Sequence, residues 1–506
     1  MTSNPESDFP SVLHMVVAAA QAAPEREALV CGDVRLTYGE FAHCIAGFAR
    51  ELRANGAKGK RVAAIFGNSI EFCIALLGGH AAGAQVGLIN ALFTSDEITP
   101  LLEDMDATAV VYDNALARIV APVAERLKVP YLLGVTPGDA KGLLRWRNEP
   151  LTIEPDWLPK ASDLGLLLYT GGTTGLSKGV DLTHATGVAG VARLNRLVQT
   201  RKGKERLLCV APLCHCYSLE VAMYNMLLSA GTMVIVSRYS AEATLDLLES
   251  ENITILAGGP TQFVGMLAHE SMSRRHFPHL TASLSGGSPL PEETLRRWEA
   301  TTSAPVLEGY GLTETFGGLS FNPLIGVHKP RSVGLKMADE IQIVDAIDGK
   351  TVLAQGETGE IRCRGPQVMV GYRGRPDATA TVLRDGWFYT SDIGHIDEDG
   401  YLFISDRKKD MVLVSGFNVY PRAIEEVLYK HPDVLEAAVI GEPDDYQGES
   451  VKAVIVLKPG AELTGEDIRA YCREHMAPYK VPRRVMFVAS LPKTTVGKID
   501  KKQLRQ

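Results

Sequence analysis

The stretch YTGGTTGLSKG, residues 169–179, sets four glycines, four threonine or serine hydroxyls and one lysine in eleven positions. Glycines let backbone N–H groups converge on an anion, while hydroxyls and an ammonium add donors and charge, so phosphate is the chemistry this composition serves. The nucleotide-triphosphatase loop G-x-x-x-x-G-K-[ST] does not fit. Lys178 comes three residues after Gly175 and is followed by Gly179, which leaves no hydroxyl beside the lysine to hold magnesium. An exposed Gly/Ser/Thr hairpin would share the composition. Three further stretches carry groups of the same kind. GYGLTET, residues 309–315, offers an aromatic face at Tyr310, a hydroxyl at Thr313 and a carboxylate at Glu314, suited to a base, a phosphate oxygen and a magnesium ion. YTSDIG places Asp392 after a strand, where a carboxylate can accept both ribose hydroxyls, and Arg407 follows in DRKKD. The tail LPKTTVGKIDKK carries an exposed Gly-Lys turn at Gly497 and Lys498.

Such groups need rigid elements beneath them. LGLLLYT, from Leu164, reads as a buried strand feeding the first loop, and VDLTH reads as extended chain leaving it. Within residues 60–90, RVAAIF is a strand, SIEFCIALLGGHAAG a helix and QVGLIN a returning strand, a βαβ unit. The alternation recurs in TMVIVS, TLDLLES and ITILAGG, with a helix from about Thr261. Repeated βα order predicts an α/β fold of parallel-rich sheets covered by helices on both faces. Ligands of such sheets bind at the carboxyl ends of strands, where 169–179, SGGSPL (285–290) and GYGLTET lie. After about residue 330 the short strands EIQIVD, GEIRCRG and GYLFIS predict a β subdomain reaching residue 406. The residues after it, 407–506, read as a small α+β domain. Pro421 opens a helix with Ile424, Val427 and Leu428 on one face, and a second starts at Thr464 with Asp467 completing a capping box and Ile468, Tyr471 and Cys472 inward.

At 506 residues the chain exceeds one hydrophobic core, and 45% hydrophobic with 22% charged residues is an ordinary globular composition. A net charge of −8 argues against nucleic-acid binding. No apolar run approaches the roughly 18 residues of a membrane span, the start MTSNPESDFP lacks the order of a secretory signal, and the eight cysteines show no C-x-x-C pair. The expected location is the cytoplasm. Cys214, His215 and Cys216 are neighbours on an extended segment, facing alternately, which argues against a shared metal.

Over nearly its whole length the chain resembles the adenylate-forming superfamily of acyl-CoA synthetases, luciferases and peptide-synthetase adenylation domains. The resemblance rests on YTGGTTGLSKG, APLCH, GYGLTET, GWFYTSDIG, DRKKDMVLVSGFNVYP and LPKTTVGK, in the family's order. TGGTTG together with DRKKDMVLVSGFNVYP is most similar to the bacterial medium- and long-chain fatty-acid CoA ligases. The resemblance implies a large N-terminal domain, residues 1–406, holding ATP and the acyl pocket, and a mobile C-terminal domain, residues 407–506, with its hinge near Lys409. It implies two half-reactions: a carboxylate attacks the α-phosphate of ATP and releases pyrophosphate, then the thiol of CoA displaces AMP. Thr170, Gly171, Gly172, Thr173, Thr174, Gly175 and Lys178 would hold the departing phosphates, and Glu314 would hold Mg2+. Gly287, Ser288, Tyr310, Gly311, Thr313, Asp392 and Arg407 would complete the ATP site. Lys498 would bridge carboxylate and α-phosphate. His215, Leu219, Gly286, Gly311 and Gly317 would line the acyl pocket, with Leu219 in the channel, and Gly416 and Phe417 the CoA tunnel.

Two other readings share these residues. Transfer to a carrier-protein phosphopantetheine uses identical chemistry, and a nucleotide-binding regulator built on a dead ligase would not need Lys498. The stretches CYSLEVAMYNMLL and FGGLSFNP are mostly apolar and hold no lysine or arginine, which suits an alkyl or aryl acid and disfavours a dicarboxylic one. Glu220 within them is expected to face outward from a helix. The oligomeric state, monomer or homodimer, stays open.

Overall fold

RVAAIF becomes the strand Arg61–Phe66, the helix Ile70–Ala81 follows, and the strand Gln85–Asn90 returns parallel to the first. Ser69 caps the helix, its hydroxyl accepting from Phe72 N–H at 3.1 Å. All residues of this helix are buried, so it has no polar face, and two glycines let it settle between neighbours. A Cβ at Gly78 would lie 2.6 Å from Phe48, and one at Gly79 2.5 Å from Val86. The computed structural model describes residues 9–170, 177–414, 417–444, 448–494 and 497–505.

The described residues form three sheets, with helices packed against them. In the first, of seven strands, Leu164–Tyr169 joins Gln85–Asn90, Arg61–Phe66, Ala109–Asp113 and Tyr131–Val135 in a parallel run. Gly179–Thr183 runs antiparallel beside Leu164–Tyr169, and the two-residue strand Gly371–Tyr372 adds to its outer edge.

The second sheet has fourteen strands and is mixed. Its parallel half includes Thr232–Ile235, Arg206–Cys209, Ile255–Gly258, Ala282–Ser285 and Val306–Leu312. The antiparallel strands expected as a β subdomain continue this same hydrogen-bonded path. The reason lies in Val306–Leu312: its first half pairs in parallel, Val306 with Ser283, and its second half antiparallel, Gly309 with Phe321.

The third sheet, five strands, belongs to the C-terminal part and carries the helices Pro421–Tyr429 and Gly465–His475. Ile424 and Leu428 are buried and Val427 half-buried. Thr464 and Asp467 form the capping box, with Thr464 N–H donating to Asp467 Oδ2 at 2.7 Å. Ile468 and Cys472 reach the core, while Tyr471, expected inward, stands half-buried between the rings of His431 and His475. Among the described residues no helix is long and apolar enough to cross a membrane.

Candidate active site

The strand Leu164–Tyr169 delivers Thr170, whose N–H donates to Lys178 O at 3.1 Å and closes the base of the Gly-rich loop. Gly171, Gly172, Thr173, Thr174 and Gly175 lie outside the described residues, as do Gly416 and the side chain of Phe417. The Lys178 ammonium sits 4.7 Å from the centroid of the Tyr372 ring, and Tyr372 Oη donates to Glu314 Oε1 at 2.7 Å. One tyrosine thus touches both the loop lysine and the GYGLTET carboxylate. Sequence reasoning did not single it out.

A cleft lies where the parallel strands of the large sheet end. Its walls include His215, Tyr217, Gly286, Gly287, Ser288 and Lys498. Tyr217 ties two strand ends together, donating to Gly258 O at 3.1 Å and Leu284 O at 2.8 Å. Its ring takes the space of a side chain at Gly286, where a Cβ would lie 2.5 Å away. Lys498 arrives from the C-terminal part on a turn that Gly497, at φ 80°, makes possible; Thr494 N–H donates to Lys498 O at 2.7 Å. Burial lowers the pKa of Lys498, which also feels Cys216, Arg407 and Asp392. Burial, assisted by Lys498, pushes His215 down to about 3. The imidazole is therefore neutral near pH 7, and because Nδ1 accepts from Tyr217 N–H at 3.3 Å, Nε2 carries the proton.

On the nucleotide side, Asp392 and Arg407 face each other across adjacent strands, with Arg407 Nε 3.1 Å from Asp392 Oδ1. Tyr310 Oη donates to Asp392 Oδ2 at 2.6 Å. Asp392 is buried, which raises its pKa against the opposing pull of Arg407. Each of its oxygens keeps a lone pair for a further donor, so the arrangement fits a hydroxyl-bearing ligand. Gly311 allows backbones to meet: a Cβ there would lie 1.2 Å from Gly317 O. Thr313 and Glu314 stand on the single turn Thr313–Thr315 that follows.

Leu219, expected in the acyl channel, is fully buried. One expectation changes. Glu220, expected to face outward, is 2% exposed. Both stand on a π-helical stretch, Leu219–Tyr224. Glu220 Oε2 accepts from Gly318 N–H at 2.7 Å, while Oε1 has no partner among the described residues. Burial pushes this carboxyl up to about 8, so it is neutral near pH 7. Glycines make the room: a Cβ at Gly190 would lie 2.2 Å from Oε1 and one at Gly317 2.4 Å from Oε2. Lys409 is exposed in the turn that Asp410 N–H closes onto Arg407 O at 2.9 Å.

A lysine of the C-terminal part thus reaches a cleft at the ends of parallel strands, near the Asp392, Arg407 and Tyr310 cluster. Residues 16–373 match the family model of the AMP-binding enzyme, and residues 423–498 that of the AMP-binding enzyme C-terminal domain. The chain belongs to this family, among the ATP-using, AMP-forming acyl-CoA ligases. It is 33% identical over 519 residues to the long-chain-fatty-acid–CoA ligase of Bacillus subtilis (strain 168), covering 96% of this chain and 92% of that protein. The feruloyl-CoA synthase of an Amycolatopsis species is 35% identical over 494 residues, 97% of each chain. ATP-bound MatB from Rhodopseudomonas palustris superposes with a TM-score of 0.89 at 31% identity, over 97% of this chain and 98% of that one. Its apo form, at the same identity, superposes with a TM-score of 0.80.

Proposed function

We propose that this chain activates a medium- or long-chain fatty acid as the acyl-adenylate and passes the acyl group to CoA, in the cytoplasm. Lys498 in the cleft beside His215 and Gly287, within electrostatic reach of Asp392 and Arg407, is the observation that carries the reading. Adenylation concentrates negative charge where carboxylate meets α-phosphate, and a positioned ammonium stabilises that charge in the transition state. Lys178, with Thr170 and the hydroxyls of the loop, receives the departing phosphates. Asp392 accepts from the ribose, Tyr310 faces the base, and Gly287, Ser288, Gly311, Thr313 and Arg407 complete the nucleotide site. Glu314, one oxygen held by Tyr372 and the other without a hydrogen bond among the described residues, fits Mg2+, which would screen phosphate charge there. His215 offers its Nε2 proton to a substrate oxygen in the cleft, and Gly286, Gly311 and Gly317 let the Tyr217 ring, the Gly317 carbonyl and the Glu220 carboxyl pack closely along the acyl side.

Lys498 in this position would obstruct an incoming thiol. Residues 407–506 therefore rotate as a domain on residues 1–406 about Lys409, withdrawing Lys498 and bringing Gly416 and Phe417 to the CoA tunnel. The relatives named for long-chain fatty acids support an alkyl substrate. A feruloyl-CoA synthase at 35% identity and 97% coverage of both chains favours an aryl acid as the second reading. Acid-dependent exchange of pyrophosphate into ATP, followed by thioester formation with CoA or with a phosphopantetheinyl carrier protein, tests both. Fatty acids of four to sixteen carbons should support exchange and CoA should be the acceptor. Exchange supported only by cinnamates or benzoates would replace the alkyl reading with the aryl one, and no exchange with any acid would overturn both.

A further inference from the structure

Residues 369–373 fasten together the two loops on which the phosphate chemistry depends. Met369 N–H donates to Glu314 O at 2.8 Å, Val370 N–H to Asp181 O at 2.9 Å and Arg373 N–H to Gly179 O at 2.8 Å. The strand Gly371–Tyr372 pairs with Val180 and Asp181, immediately after the Gly-rich loop on the seven-stranded sheet, whereas Glu314 follows a strand of the fourteen-stranded one. Tyr372 sits at this seam and is 8% exposed. Its N–H is held by Thr379 Oγ1 at 2.9 Å, its hydroxyl donates to Glu314 Oε1 at 2.7 Å, and its ring lies 4.7 Å from the Lys178 ammonium.

We infer that Tyr372 is a two-armed positioning residue, its hydroxyl orienting Glu314 for a divalent cation and its ring orienting Lys178 for a nucleotide phosphate. The inference rests on the nucleotide-site reading above. Its physical content is separable by atom. A phenolic O–H bound to one carboxylate oxygen leaves the other for a metal and fixes its direction, and loss of such an outer-shell partner commonly costs about 10- to 100-fold in metal affinity. An ammonium over an aromatic face is attracted by the ring, not by its hydroxyl, and loss of a partly exposed contact of this kind weakens binding by roughly three- to fivefold. Phenylalanine at 372 removes the first arm and keeps the second. Leucine removes both.

Calorimetric titration of the full chain with ATP, with and without Mg2+, reads the two arms without turnover. Tyr372→Phe should bind metal-free ATP as wild type does and lose about tenfold of the tightening that Mg2+ brings. Tyr372→Leu should lose that tightening and also bind metal-free ATP roughly three- to fivefold more weakly. In a Glu314→Gln background, Tyr372→Phe should have no further effect on the metal response. Equal Mg2+ responses in wild type and Tyr372→Phe, or equal losses with and without metal in both variants, would overturn the inference while leaving the nucleotide-site reading intact. A wild-type chain that binds no ATP would overturn both.

Discussion

Lys498 passes so close to Gly287 that a Cβ on the glycine would lie 3.4 Å from Lys498 Cε. The glycine has φ 82°, a conformation that side chains rarely adopt. A β-branched residue there is strained by about 1–2 kcal/mol and sends its methyl groups toward the lysine. Gly287→Val should lower pyrophosphate exchange at least about tenfold, the rate cost of displacing a positioned cation by a fraction of its contribution. Exchange at the wild-type rate, in a variant that melts normally, would mean that the lysine reaches the α-phosphate by another path.

The Glu220 carboxyl, pushed up to about 8 by burial against an ordinary 4.5, makes stability depend on pH. Between these values the folded chain keeps a proton that the unfolded chain has lost, so stability falls as pH rises through the window and this contribution is gone above about 8. Glu220→Gln fits the same space and cannot ionise. Its melting temperature should fall less than that of wild type between pH 6 and 8.5. Parallel melting curves across that range would contradict the neutral buried carboxyl. Glu220→Ala should cost about 1–3 kcal/mol, because Gly318 N–H loses its acceptor.

Lys409 occupies the exposed turn between the strand carrying Arg407 and the C-terminal sheet. Proline there fixes φ near −65° and penalises one of two backbone states. Lys409→Pro should keep pyrophosphate exchange and lose thioester formation by roughly tenfold or more, since a hinge that cannot turn blocks only the second step. If both half-reactions run at wild-type rates, rotation does not pass through this residue.

Much of the scaffold was legible because apolar run length and capping residues are local. RVAAIF, Ser69 before its helix, and the Thr464–Asp467 box each carry their signal within a few positions. The long-range features were not. Val306–Leu312 changes partner orientation midway, which no periodicity records. Tyr372 and Glu314 meet across 58 residues, through a two-residue strand too short to leave a pattern. Glu220 read as a surface charge because carboxylates are seldom buried, although Gly190 inside a helix and the Gly317-Gly318 pair were a trace of the space it fills.

The central claim is that Lys498 serves the first half-reaction and not the second. Its most direct test is to time the two halves separately in Lys498→Ala, adenylation by single-turnover release of pyrophosphate and thioester formation from a supplied acyl-adenylate and CoA. Loss of a positioned cation should slow adenylation by about 10²- to 10³-fold and leave thioester formation within about twofold of wild type. Equal damage to both halves, or none to adenylation, would contradict the account.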